Sequence, residues 1–98
     1  MSADQAQQIA GIFHLLGEPN RLRMTVACMS GPRTVNDLAE AVGVSPSLAS
    51  HHLRLLKGAR LVRAERRGKF VLYQIHDHHV HCILADMIDH VNEPEEGL

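Results

Sequence analysis

Residues Thr34–Lys57 read TVNDLAEAVGVSPSLASHHLRLLK, and this stretch decides the fold. Thr34 suits an N-cap, where its hydroxyl accepts from an otherwise unpaired N–H of the first turn. Leu38, Ala39 and Val42 follow at helical spacing. Gly43 ends this helix, because the residue after a helix commonly turns left-handed and glycine does so without steric cost. Ser45 caps the next helix, with Pro46 at its first position, where a missing N–H is no loss. That helix runs to about Lys57 and Gly58 closes it. Two helices joined by the short turn Gly43-Val44 make a helix-turn-helix.

The faces of the second helix of this pair point to a task. Leu48, Ala49, Leu53 and Leu56 are expected to turn inward. Ser47, Ser50, His51 and Arg54 share the outward face at i, i+3, i+4 and i+7. Short hydrogen-bonding side chains with one arginine suit a helix lying in the major groove of double-stranded DNA, reaching base edges and phosphates. His52 falls between the faces and is expected to be a partly buried packing residue. The bland reading is a small helical domain with a polar outer face.

Working outward, Leu61–Arg66 and Lys69–Ile75 are rich in branched and aromatic residues, and Arg67-Gly68 between them suits a hairpin turn. The tip, Arg66-Arg67-Gly68-Lys69, is a cationic wing for backbone phosphates or the adjacent minor groove. Upstream, residues 3–16 read as an amphipathic helix carrying Ile9, Ile12, Phe13 and Leu16. A helix starting at Pro19 carries Leu22, Val26 and Met29 and stops at Ser30-Gly31-Pro32. Downstream, a helix over about residues 77–93 carries Val80, Ile83, Leu84, Met87, Ile88 and Val91. The expected fold is mainly α with a β-hairpin wing: one winged helix-turn-helix domain over residues 1–98, its wing at about residues 60–76. The helices at 3–16 and 77–93 are the expected dimerisation elements.

Composition bounds the rest. The chain has 98 residues, 45% of them hydrophobic, and a net charge of −1. A core of this size gains from a dimer interface. Neither a charged-then-apolar leader nor a long apolar run occurs, so secretion and a membrane partner are disfavoured and a cytoplasmic location is expected. Charge is segregated: Arg54, Lys57, Arg60, Arg63, Arg66, Arg67 and Lys69 face only Glu65 as an acid in that stretch, while Asp77 onward holds acids and no Lys or Arg. A basic middle suits phosphate, and an acidic, His-rich end suits a cation.

That end has a geometry of its own. At about 100° per residue, His79 and His90 lie about 20° apart around one helix, but roughly 16 Å apart along it. Zinc holds each ligand at about 2.0–2.2 Å, so one ion cannot reach both. An antiparallel copy of the helix would bring Asp77 and His79 of one subunit to His90 and Glu93 of the other, twice over by symmetry. The spacing therefore predicts a homodimer with metal at its interface. Two imidazoles and two carboxylates favour tetrahedral Zn²⁺, admit Co²⁺ and serve thiophilic ions poorly. Ni²⁺ would prefer more ligands, and His76, His78 and His81 are near enough in sequence to offer them. Singly, each residue also has an ordinary reading: Asp77 as an N-cap, His79 as a surface residue, His90 and Glu93 as an exposed pair.

Leu15-Leu16-Gly17-Glu18-Pro19-Asn20-Arg21-Leu22-Arg23, Asp37-Leu38-Ala39, the block Ser45–Lys57 and Arg67-Gly68-Lys69-Phe70-Val71-Leu72-Tyr73 resemble the ArsR/SmtB family of metal-sensing repressors. The likeness spans about residues 8–93. It implies a homodimer that binds operator DNA when metal-free and releases it when metal binds. Family members that sense thiophilic ions carry cysteines before the recognition helix, where Thr34-Val35-Asn36-Asp37-Leu38 has none. The zinc-sensing branch carries the spacing shown by Asp77, His79, His90 and Glu93. The resemblance also places, near Arg60-Leu61, an acceptor for the second N–H of His90.

The sequence also bears on two other functional classes. Cys28 and Cys82 lie on separate helices and permit a redox or reactive-sulfur switch, although nothing in the sequence places them within disulfide reach. An enzyme is disfavoured, since no glycine-rich phosphate loop or nucleophile motif occurs and the ligand set is coordinatively closed.

Overall fold

The computed structural model describes residues 1–95; residues 96–98, with Glu96 of the acidic end and the close of the expected domain, lie outside the described residues. Five helices are ordered α1 (Ala3–Leu16), α2 (Pro19–Ala27), α3 (Val35–Val42), α4 (Pro46–Gly58) and α5 (His78–Asn92), with strands β1 (Arg33–Thr34), β2 (Val62–Arg67) and β3 (Phe70–Ile75). This is a winged helix-turn-helix.

Local chemistry sets the helix ends. Ser2 and Thr34 form capping boxes with Gln5 and Asp37 at the starts of α1 and α3. Ser45 accepts from Leu48 N–H at the start of α4, with Pro46 in the first turn. Gly43 closes α3 at φ 74°. The end of α4 has the same paired bonds, Arg60 N–H to Lys57 O and Leu61 N–H to Leu56 O, with Arg60 rather than a glycine in the left-handed position at φ 58°. The helix takes in Gly58, one residue beyond the expected stop.

Met24, Cys28, Leu38, Ala39, Ala49, Leu53, Leu56, Leu61 and Val62 form the core where α2, α3, α4 and the base of the wing meet. One inward assignment changes: Leu48 is 41% exposed. His52, expected to pack partly buried, takes a fully packed place beside Ala49, Leu53 and Leu56. On α2 the buried residues are Met24 and Thr25, followed by Cys28 in a 3₁₀ turn (Cys28–Ser30). Leu22 and Val26, the expected core stripe, instead line a surface groove toward Leu84, Met87 and Ile88 of α5. A stripe of apolar residues marks a face, but not which of two neighbours it meets.

The sheet has order β1-β3-β2, all antiparallel. The two-residue β1, which the sequence reading did not include, pairs Thr34 with Leu72. The hairpin register places Arg67 opposite Phe70, so the turn is Gly68-Lys69 rather than Arg67-Gly68. Gly68, at φ 60°, occupies its first central position, where a tight hairpin favours glycine. At the base, His76 N–H donates to Leu61 O and ties the end of the wing to the end of α4.

Candidate functional site

The candidate reading face lies on α4. Ser47, His51 and Arg54 are exposed and Ser50 is half-buried, and none of the four makes a side-chain hydrogen bond among the described residues. Their donors and acceptors are therefore free to meet another molecule. Leu48 joins this surface, an apolar group suited to a thymine methyl. Sequence reasoning missed it because leucine at helical spacing defaults to core. Arg23 donates to the carbonyls of Ala41 and Val42, fixing α2 against the end of α3 and so the angle at which α4 is presented.

The wing adds three cations. By strand alternation Arg66 shares a face with the buried Val62, while Arg67 shares the opposite face with Glu65. Arg67 donates to Glu65 at 3.2 Å, an exposed pair of small energetic weight that water or phosphate can displace. Lys69 sits in the turn with its Nζ 5.4 Å from the Phe70 ring centroid.

The candidate metal ligands fall into two half-sets at opposite ends of α5. Asp77 caps the helix through Oδ1, which accepts from Val80 N–H at 3.0 Å. Its Oδ2 stands 3.9 Å from His79 Nδ1, so one carboxylate serves as both cap and candidate ligand. The bond from Val80 holds the Asp77 carboxyl below its usual range, with His79 and His76 adding to the effect. His79 is almost fully exposed. His90 lies in the last turn; Glu93 is just past it in extended backbone, its N–H donating to His90 O. Among the described residues of one chain, no three His, Cys, Asp or Glu side chains come close enough to share a metal. Asp77 and His79 are brought together; His90 and Glu93 stand apart from them.

For two ligands of a tetrahedral zinc with bonds of about 2.1 Å, donor atoms sit about 3.4 Å apart. Asp77 Oδ2 and His79 Nδ1, at 3.9 Å, need only a small side-chain rotation to reach that spacing. The fit is that of a half-site.

The apolar face of α5 is left open. Ile83 and Met87 are 50% and 52% exposed, Val91 76%, and Phe13 of α1 is 56% exposed. Between α1 and α5 runs a cleft of about 510 Å³ with Ile9, Phe13 and Ile83 in its walls. Asp77 and His79 lie at its rim, together with Arg60 and Leu61 from the junction of α4 and the wing. One cleft thus touches both the half-site and the reading head. The further histidines scatter: His76 lines this cleft, and His78 turns to Cys82. Cys28 is buried, and burial pushes its thiol up to about 11.

The sequence family described as bacterial regulatory protein, arsR family, matches residues 18–64. The chain is 43% identical over 95 residues to a transcriptional repressor SmtB homolog of Synechocystis, covering 97% of this chain and 72% of that one. It is 36% identical over 98 residues to the HTH-type transcriptional regulator NmtR of Mycobacterium tuberculosis, covering 100% and 82%. Among solved structures, the homodimeric winged helix-turn-helix DNA-binding domain of a Mycobacterium bovis protein superposes with a TM-score of 0.84 at 28% identity, covering 98% and 92%.

Proposed function

The chain belongs to the arsR family of bacterial regulatory proteins, a transcriptional regulator rather than an enzyme, and we propose that it is a zinc-responsive homodimeric repressor. Metal-free, it binds operator DNA through Ser47, Ser50, His51 and Arg54 of α4 and Arg66, Arg67 and Lys69 of the wing. Zinc at two symmetric sites releases it. Each site takes Asp77 and His79 from one subunit and His90 and Glu93 from the other.

The observation that carries this reading is the open apolar face of α5, with a half-set of ligands at either end. Ile83, Met87 and Val91 stay half-exposed or more among the described residues, and burying such residues against a second copy is favourable at about 25 cal/mol per Å². An antiparallel α5 pair covers them and joins each Asp77–His79 half-site to a His90–Glu93 half-site. The open face of α1, with Ile9 and Phe13, extends the same surface, in keeping with the homodimeric state of the M. bovis domain.

When bound, Zn²⁺ supplies a fixed tetrahedral link between the two α5 helices. The residues do the rest. His79 and His90 bind as neutral imidazoles, and the second N–H of a ligating imidazole is free to donate to a carbonyl, which fixes the ring. Leu61 O is occupied by His76 N–H, whereas Arg60 O accepts no bond among the described residues. Arg60 lines the same cleft as Asp77 and His79, so its carbonyl is an open acceptor where α4 meets the wing. Drawing that junction toward α5 changes the spacing of the two α4 helices and hence the fit to successive major grooves. The coupling is reciprocal: operator DNA lowers zinc affinity by the same factor.

A nickel reading would use His76, His78 or His81 as added ligands; among the described residues of one chain none of the three gathers with Asp77 and His79 closely enough to share an ion, which favours the four-ligand zinc set. A Cys28–Cys82 switch is disfavoured by the buried position of Cys28. The test is fluorescence anisotropy on a duplex selected from a random pool by the metal-free protein. Zn²⁺ should dissociate the wild-type complex and leave the His79→Ala complex intact. Dissociation of both, or of neither, contradicts the proposal.

A further inference from the structure

The solvent-facing side of α5 carries a second pair of metal-ligating groups outside the set above. Cys82 Sγ lies 3.2 Å from His78 Nε2 and 3.8 Å from its Nδ1, one helical turn apart. His78 is exposed and Cys82 half-buried, so the pair opens to solvent. At about 100° per residue, Cys82 lies roughly 60° around the helix from His79 and roughly 80° from His90. It lies roughly 100° from Ile83 and roughly 140° from Met87, off the apolar face proposed as the dimer seam.

We propose that His78 and Cys82 form a bidentate thiolate–imidazole site for a tetrahedral divalent cation of the Zn²⁺, Cd²⁺ or Co²⁺ class, one per protomer. Bonds of about 2.3 Å to sulfur and about 2.1 Å to nitrogen at a tetrahedral angle put the two donors about 3.6 Å apart. The observed 3.2 Å and 3.8 Å put the sulfur beside both ring nitrogens and off the lone-pair axis of each. The exposed His78 ring must therefore rotate to turn one nitrogen toward a shared ion, while the sulfur is already close to the required separation. A linear two-coordinate ion would need the donors about 4.4 Å apart, which disfavours Cu⁺ held by this pair alone. On binding, the Cys82 S–H···N contact gives way to S–metal and N–metal bonds. The thiol proton leaves to buffer, and water fills the remaining positions.

This site differs in kind from the proposed interface site. It contains a soft thiolate, it needs no second subunit, and it remains when either half-set at the ends of α5 is removed. Soft ions that the N/O-only set serves poorly would be held here first. The chain would thus take up two classes of ion at two places on one helix.

The experiment is Co²⁺ titration of the metal-free protein, read in the ultraviolet for thiolate-to-cobalt charge transfer and repeated in variants. Wild type should develop a thiolate band that saturates at one ion per protomer. The His79→Ala/His90→Ala double variant should keep that band, which separates this proposal from the fate of the interface reading. Cys82→Ser should abolish it, and His78→Ala should weaken the ion that gives it at least tenfold. Bound Cd²⁺ should likewise slow alkylation of Cys82 by iodoacetamide in the wild-type protein, an assay needing no substitution. No thiolate band in wild type, a band that survives Cys82→Ser, or unaltered alkylation with Cd²⁺ would each overturn the site.

Discussion

The carboxylate of Glu18, which caps α2, stands 3.9 Å from Nε2 of His52, the buried imidazole of α4. The gap is too long for a hydrogen bond, and His52 Nδ1 is buried with no partner among the described residues. Burial holds the His52 pKa below 6.5; Glu18 opposes this, while Arg21 and His51 act with burial. A group whose folded-state pKa is depressed contributes stability above its unfolded pKa and loses it as pH falls through the folded value. Urea denaturation should therefore show stability declining as pH falls from about 7 to about 5, and His52→Leu should flatten that slope. An unchanged slope in His52→Leu would show that His52 does not carry it. Glu18, held low chiefly by its bond from Arg21 N–H, acts below 4.5 and leaves this window clear.

Arg60 occupies at the end of α4 the left-handed place that Gly43 occupies at the end of α3. A side chain there crowds its own carbonyl, whereas glycine escapes the strain but orders more chain entropy on folding. The balance predicts that Arg60→Gly gains about 0.5–1 kcal/mol in urea denaturation. A loss of stability would mean that the Arg60 side chain makes contacts worth more than the strain.

On the reading head, Ser50→Ala and Arg54→Ala should each cost about 1–3 kcal/mol of operator binding while leaving dimerisation intact. The wing should act differently. Lys69→Ala should weaken all sequences alike and flatten the dependence of binding on salt, because one fewer phosphate contact releases fewer counterions. Glu65→Gln frees Arg67 from its exposed pair and should steepen it. Salt titrations by anisotropy separate these outcomes, and unaltered slopes in both wing variants would remove the wing from DNA.

Much of this was legible in the sequence because the signals are local. Thr34 and Ser45 each cap a helix start through a side-chain hydroxyl, Gly43 ends a helix through its left-handed backbone and Pro46 sits where a missing N–H costs nothing, and all four act as their types require. What the sequence left ambiguous depends on partners distant along the chain. Leu22 and Val26 have the right period but face α5 rather than the core, and Leu48 has the right type but no neighbour to cover it. The two-residue β1 exists only because β3 lies beside it. The hairpin slid by one residue because Gly68 takes the first turn position rather than the second. For the metal site, the sequence pointed to both Asp77 readings, cap and ligand; the cap is observed at Oδ1, and Oδ2, 3.9 Å from His79 Nδ1, stays available for the proposed ligand role. Glu93 lies beyond the helix that its i, i+3 spacing from His90 had suggested.

The open face of α5 makes its own prediction. Met87→Glu places a charge where a second copy would bury it, at little cost to a chain in which Met87 is already 52% exposed. Sedimentation should show a monomer with its helical circular dichroism retained. A variant that remains dimeric would move the interface off α5.

The proposed zinc sites are tested most directly by a heterodimer of one His79→Ala chain and one His90→Ala chain, isolated by two different tags. If each site spans the subunits, one site loses both imidazoles and the other keeps all four ligands. A site within one subunit would be broken in both chains. The measurement is zinc stoichiometry in competition with a chelator, made in a Cys82→Ser background so that the His78 pair does not contribute. One tightly bound zinc per heterodimer is the predicted result, and none would contradict the account.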